Sequence, residues 1–262
     1  MEDVWIRFWS ALVYTVLSVM AFYLGDWMIF AWWLGAYNLI MTDLMQVTQS
    51  YSISTVSSVL ISNLFFFEFT IRPFNLQIEI LTAIAFVPMM VSVLDPNRDF
   101  KAVIVMTTSY LWVTYPCVIG FGLSSQPSFM IGFLNLVWFT DAGAYFCGKL
   151  FGRTPLLQQI SPKKSWEGTL GAIVTAQIVG YIVSIYVTNI AYQHWVCISL
   201  IASITGQIGD LFESFFKRHF NVKDSGHIMP GHGGMLDRFD AVLFALVFVR
   251  AYLVLVGIKI IA

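Results

Sequence analysis

Along this chain, apolar residues come in long unbroken runs, neither in helical stripes nor in short alternating stretches. A helix crosses the hydrocarbon core with roughly 20 apolar residues, whereas barrel strands read as alternating segments of about ten. The runs here are of the first kind and predict helical spans at 5–24, 27–45, 50–70, 76–94, 102–122, 128–148, 168–189, 195–213 and 241–261. Residues 102–140 hold no Asp, Glu, Lys or Arg, which is too long for one span; the stretch Gly120-Phe121-Gly122 to Gln126-Pro127-Ser128 supplies the dividing turn. Residues 168–209 are equally uncharged and divide near Asn189–His194. The pattern predicts an all-α, polytopic integral membrane protein with nine transmembrane helices.

Composition agrees. Of 262 residues, 58% are hydrophobic and 11% are charged, against about 25% charged in soluble domains. A soluble fold so poor in charge would expose aggregating apolar patches. Disorder, a disulfide scaffold and a basic nucleic-acid binder are excluded, and a net charge of −1 leaves electrostatic function to local clusters. Cys117, Cys147 and Cys197 are far apart in apolar runs, without zinc-type spacing. The start Met1-Glu2-Asp3 has no basic n-region, and no small-residue cleavage site follows the run ending Ala21-Phe22-Tyr23-Leu24, so that run reads as a retained helix.

Basic residues orient the spans. Loop 149–167 carries Lys149, Arg153, Lys163 and Lys164; loop 214–240 carries Lys217, Arg218, Lys223 and Arg238. Two spans lie between them, so both face one side, which the positive-inside rule makes cytoplasmic. Arg7, Arg98 and Lys101 then fall inside as well, giving eleven of the 14 basic residues; Arg72 and Lys259 fall outside and Arg250 lies within the last span. The N-terminus is expected in the cytoplasm. No internal repeat is evident. Residues 1–130 read as membrane scaffold and 131–262 as the region carrying the chemistry, within one integrated membrane domain.

Four polar clusters are reachable from the cytoplasmic face. Asp141, at the end of an apolar helix, is costly there and marks a functional site by default; Gly148 and Gly152 behind it suit either a ligand or close helix packing. Ser161-Pro162-Lys163-Lys164-Ser165-Trp166-Glu167-Gly168-Thr169 joins two lysines and three hydroxyls to a helix start, which suits a polyanion or, more simply, anionic lipid. In Gly209-Asp210-Leu211-Phe212-Glu213-Ser214-Phe215-Phe216-Lys217-Arg218, helical spacing puts Asp210, Glu213, Ser214 and Lys217 on one face. The densest stretch runs from Lys223-Asp224-Ser225-Gly226 to Pro230-Gly231-His232-Gly233-Gly234-Met235-Leu236-Asp237-Arg238-Phe239-Asp240. Its glycines allow backbone to approach a ligand, and Asp237 and Asp240, three apart, suit a hard cation. His227 and His232 lack the further ligands of a zinc site. Several carboxylates for divalent cations and several basic residues for phosphates suit phosphoryl or nucleotidyl transfer, where catalysis is largely positioning and charge neutralisation. A cytoplasmic-surface site among membrane helices points to a lipid substrate.

The run from Ser214 to Asp240 resembles the signature of phosphatidate cytidylyltransferases, also called CDP-diacylglycerol synthases. The Gly209–Ser214 stretch, the Ser161–Gly168 block and Asp141 with Ala144-Tyr145 are similar to that family too, so the resemblance covers about residues 138–240. Ala241 stands where members often have Ser. The resemblance implies transfer of the cytidylyl group of CTP to phosphatidate with Mg²⁺, releasing pyrophosphate, with a homodimer as assembly; the short chain without long tails points to a bacterial inner membrane rather than an organelle. On it, the catalytic set is Asp210, Lys223, Asp237, Arg238 and Asp240, and the metal is held by Asp141, Asp210, Asp237 and Asp240. Substrate contacts fall to Lys163, Lys164, Ser165, Glu213, Ser214, Lys217, Arg218, Gly231, His232, Gly233 and Gly234, with open which basic cluster takes CTP and which phosphatidate. Two alternatives differ in outcome. A CTP-dependent lipid kinase, which carries partly similar Lys-Asp and Asp-Arg-x-Asp motifs, would transfer the γ-phosphoryl group. A transporter would show polar residues spread through several spans and an internal repeat, and neither is evident.

Overall fold

The computed structural model describes residues 2–49, 105, 107–226, 228 and 233–260. Predicted spans 50–70 and 76–94, and the first residues of 102–122, lie outside them. The chain divides into two compact units, Met1–Gly122 with Asp224–Asp237, and Leu123–Lys223 with Arg238–Ala262. The described residues are almost wholly helical.

In the first unit, α1 (Glu2–Leu24) and α2 (Asp26–Thr48) are joined by Gly25 alone. Its φ of 107° lies where an L side chain is strained, and its carbonyl accepts from the N–H groups of Met28 and Ile29 to start α2. A π-helical stretch, Ser109–Thr114, leads into α3 (Tyr115–Leu123). Trp33 of α2 is completely buried, and its indole occupies the space a Cβ on Gly120 would need. Phe30 and Phe121 meet edge to face beside it, ring centroids 6.3 Å apart.

The second unit begins with α4 (Pro127–Phe151), with Pro127 at the first helical position, where its missing N–H costs nothing. A two-stranded antiparallel hairpin follows, β1 (Pro155–Leu157) and β2 (Ser161–Ser165). Then come α5 (Trp166–Tyr186), α6 (Tyr192–His219) and α7 (Leu236–Leu255), whose first two residues belong to the first unit. The described residues are nearly all-α, as expected, and the hairpin is a small addition: it is too short to leave a periodic hydrophobic signal, and Pro162 disguises it. Among the described residues, three helices, α4, α5 and α6, are long and apolar enough to cross a membrane. At about 1.5 Å per residue the 28 residues of α6 extend about 42 Å, so the helix outruns the hydrocarbon core. That is why it continues beyond the predicted 195–213 into charged residues. Where a last span is predicted at 241–261, the helix runs over Leu236–Leu255. Its polar start is helical, and Gly257, at φ 73°, ends it as the N–H groups of Gly257 and Ile258 fold back onto Val254 and Leu253.

Small residues let α4 and α5 pack closely. Side chains on Gly143 and Gly171 would collide with Thr175 and Cys147, and a Cβ on Gly168 would come 3.3 Å from the Gly148 Cα. Gly148 and Gly152 are therefore accounted for by packing: Gly152 caps α4, and a Cβ there would strike the Gly148 carbonyl and the Ser165 hydroxyl. Trp195 of α6 is fully buried against Phe129 of α4, centroids 5.6 Å apart. Outward, α5 presents Leu170, Val174, Ile178 and Ile182 in one exposed apolar stripe, the face a lipid-embedded helix offers. We expect Gly171→Leu to lower stability by about 1–3 kcal/mol through overpacking against Cys147, read as a fall in Tm of the detergent-solubilised protein. Leu170→Ala on the exposed stripe should leave Tm nearly unchanged.

Candidate active site

In the second unit, short links make α4, α5 and α6 run alternately, so the end of α4, the hairpin, the start of α5 and the end of α6 share one end of the bundle. The hairpin is fastened there by Glu167, whose carboxylate accepts from the N–H groups of Arg153 and Thr154 at 3.2 Å. Ser165 is the N-cap of α5; its Oγ accepts from the Gly168 N–H at 3.1 Å. With the hairpin so held, Lys164 forms an ion pair with Asp210 of α6, while Lys163 remains exposed. The Ser161–Thr169 block thus divides its labour: Ser165 and Glu167 build the turn, and Lys164 reaches the acidic side chains.

Three carboxylates meet at this end. Asp210 and Glu213 of α6 and Asp240 of α7 each present an oxygen, all within 4.8 Å of one another. Glu213 is 2% and Asp240 7% exposed. Glu213 Oε2 accepts from Lys217 Nζ at 3.0 Å, one helical turn on, and Lys217 is itself buried. Asp141 of α4 lies within electrostatic reach of Asp210, Asp240, Lys164 and Arg238. Four carboxylates therefore face three basic groups; Glu213 and Asp240 are buried while Asp141 and Asp210 reach solvent, and the excess of negative charge favours a further cation. The donors are hard oxygens, of the kind that divalent cations such as Mg²⁺ and Ca²⁺ take. They could hold a metal ion.

Close helix contact makes the cluster compact. A Cβ on Gly209 would overlap the Asp240 carbonyl oxygen, and one on Gly206 would touch Ala241. Small residues at these α6 positions let α7 approach until Asp240 reaches Asp210 and Glu213. The spacing of Asp210 and Glu213 on one face was legible in the sequence; their meeting with Asp240 depends on this packing. Ser214 is half-buried, Lys223 is exposed, and Arg218, also exposed, donates to the Val222 carbonyl at 3.3 Å as α6 ends.

This chain belongs to the cytidylyltransferase family. The family's model matches residues 5–256. The phosphatidate cytidylyltransferase of Staphylococcus saprophyticus is 42% identical over 176 residues, 66% of this chain and 67% of that one. Those of Staphylococcus haemolyticus and Staphylococcus aureus strain COL are 40% and 39% identical over the same length, covering 66% and 65% of this chain and 67% of theirs.

The remaining signature residues of this cytidylyltransferase lie in the first unit. Asp237 Oδ2 accepts from the Ser225 N–H at 3.2 Å, the Ser225 hydroxyl at 2.9 Å and the Gly234 N–H at 2.8 Å, closing the loop on itself. Gly233 has φ 85°, and a Cβ there would also press on Asp237. Gly231 and His232 lie outside the described residues. One residue escaped the sequence reading: Asp43 of α2 is wholly buried, and its Oδ2 accepts from the Leu236 N–H at 2.9 Å. A carboxylate inside the apolar run 27–45 was the signal that could have found it. We expect Lys217→Met to cost roughly 3–5 kcal/mol by stripping Glu213 of a buried partner. The Glu213→Gln/Lys217→Met pair should regain much of it, as measured by denaturation in detergent.

Proposed function

We propose that this chain transfers the cytidylyl group of CTP to phosphatidate, giving CDP-diacylglycerol and pyrophosphate at the cytoplasmic surface of a bacterial inner membrane. The observation that carries the reading is the convergence of Asp210, Glu213 and Asp240, edged by Lys164 and Lys217, in a chain of the cytidylyltransferase family. Curated relatives named phosphatidate cytidylyltransferase supply the substrates.

The phosphatidate phosphate is already anionic near neutral pH and needs alignment more than a general base. One of its oxygens bonds to the α-phosphorus of CTP, the α–β phosphoanhydride bond breaks, and pyrophosphate departs with that electron pair. The difficulty is bringing two polyanions together. Asp210, Glu213 and Asp240 are the residues that would hold Mg²⁺, which when bound neutralises triphosphate charge and polarises the phosphoryl oxygens. Lys164 and Lys217 hold these carboxylates in place and add positive charge; Arg218, Lys223 and Arg238 face phosphates of CTP or the departing pyrophosphate. Lys163 and the Ser161–Ser165 strand meet a lipid or nucleotide phosphate at the bundle end, with Ser214 beside Glu213. Asp141 balances charge around Asp210. Asp237 secures the signature loop, whose Gly231–Gly234 run, with His232, offers N–H groups to phosphate.

Around this site the chain makes nine spans with a cytoplasmic N-terminus, supported by the eleven cytoplasmic basic residues, and pairs as a homodimer. Single cysteines at 163 and 72 test the orientation: a membrane-impermeant maleimide should label position 163 only in inverted vesicles and position 72 only in intact cells.

The deciding experiment gives purified protein Mg²⁺, phosphatidate and CTP labelled separately at the α- and γ-phosphates. The α-label should enter the lipid and the γ-label leave as pyrophosphate; γ-label in the lipid would make the enzyme a kinase. Asp210→Asn and Asp240→Asn should each lower kcat by at least about 10²-fold in folded protein. Chelation of Mg²⁺ should stop turnover, and its return should restore it.

A further inference from the structure

We infer that Asp43, in the N-terminal region otherwise read as scaffold, is a positioning residue for the signature loop and for the helix start that carries Asp237. The inference rests on the proposed transfer reaction and adds a residue to it that no part of the signature contains. Asp43 lies on α2 between the buried Ile40, Met41, Leu44 and Val47, and is itself without solvent exposure. A carboxylate is expensive in such a place and persists where something depends on it.

What meets it is the loop. The Leu236 N–H, at the first turn of α7, donates to Asp43 Oδ2 at 2.9 Å across 193 residues of sequence. The acid thus caps, from another helix, one of the orphan donors at the α7 N-terminus, where negative charge is also favoured by the helix dipole. Asp43 Oδ1 points the other way, into the space a Cβ on Gly226 would take, and a Cβ on Gly234 would strike both Asp43 Oδ2 and the Ser225 hydroxyl. Ser225 and Gly234 both donate to Asp237 Oδ2. The loop therefore closes over Asp43 on one side and is tied to Asp237 on the other. Glycine at 226 and 234 is required by the bulk of this carboxylate, independently of any ligand. Removing Asp43 leaves the Leu236 N–H without its acceptor and opens a gap beneath the loop, which lets Ser225, Gly234 and Asp237 shift together.

The test uses the full chain in detergent, comparing Asp43→Ala, Asp43→Asn and Gly226→Ala with wild type and with Asp237→Asn. Asp43→Ala should lower kcat by about 10²-fold, as a displacement of about 1 Å does in an oriented site, while KM for CTP and for phosphatidate changes less than about threefold. Asp43→Asn keeps an oxygen for the Leu236 N–H and should recover most of that loss. Gly226→Ala, which displaces the carboxylate without removing it, should lower kcat as well. It also keeps the proposal open to refutation if Asp43→Ala fails to fold. A Tm loss in Asp43→Ala with kcat per folded molecule unchanged, or unchanged kcat in Gly226→Ala, overturns the inference. If Asp237→Asn is inactive while the Asp43 variants turn over normally, this inference falls and the proposed function stands. If Asp237→Asn itself turns over normally, the role given to the signature loop falls first.

Discussion

Carboxylates held in a helix bundle of low polarity have to be compensated, and the second unit is arranged around that requirement. Glu213 and Asp240 are nearly inaccessible, and Asp210 lies within 4.8 Å of both. Like charges so close repel strongly where water cannot screen them. Lys217 answers Glu213 from the same helix, and Lys164 answers Asp210 from the end of a hairpin. The deficit of positive charge that remains suits a further cation, and the proposed function draws on it. Function and fold meet in one electrostatic constraint.

The hairpin shows how much structure is needed to deliver one lysine. Glu167 ties its base to Arg153 and Thr154, Ser165 caps the next helix, and Gly152 and Gly168 remove the side chains that would push the two helices apart. Within this motif Ser165 and Glu167 also build the turn that delivers Lys164. A similar economy holds on α6, where Gly206 and Gly209 matter because Asp240 and Ala241 come so near. Packing without side chains substitutes here for the hydrophobic drive that helices lack in lipid.

The first unit repeats the logic with backbone donors in place of lysines. Asp237 and Asp43 each collect N–H groups from the loop around Ser225 and Gly234, so the glycines there are needed for close approach whether or not phosphate visits them. Trp33 against Gly120 and the Gly25 turn serve to place α2. The aromatic contacts of the N-terminal helices thereby bear on where Asp43 stands.

Hydropathy alone determined that this is a helical membrane protein, because burying a backbone in lipid demands long apolar runs, and such runs survive any rearrangement of their neighbours. The order and spacing of Asp210, Glu213, Lys217 and the Lys223–Asp240 stretch were equally legible, since helical periodicity is local. What only the tertiary structure decided was which acids meet. Asp210 and Glu213 find Asp240 through glycines on α6, and Lys164 finds Asp210 through a hairpin too short to announce itself. Asp43 joins Leu236 across nearly the whole chain. Helix boundaries moved as well, because capping and the αL turn at Gly257 end a helix where hydropathy does not. Spacing along a chain is a one-dimensional quantity, whereas the cost of an uncompensated buried charge is settled only by whatever side chains the packing brings within a few ångströms.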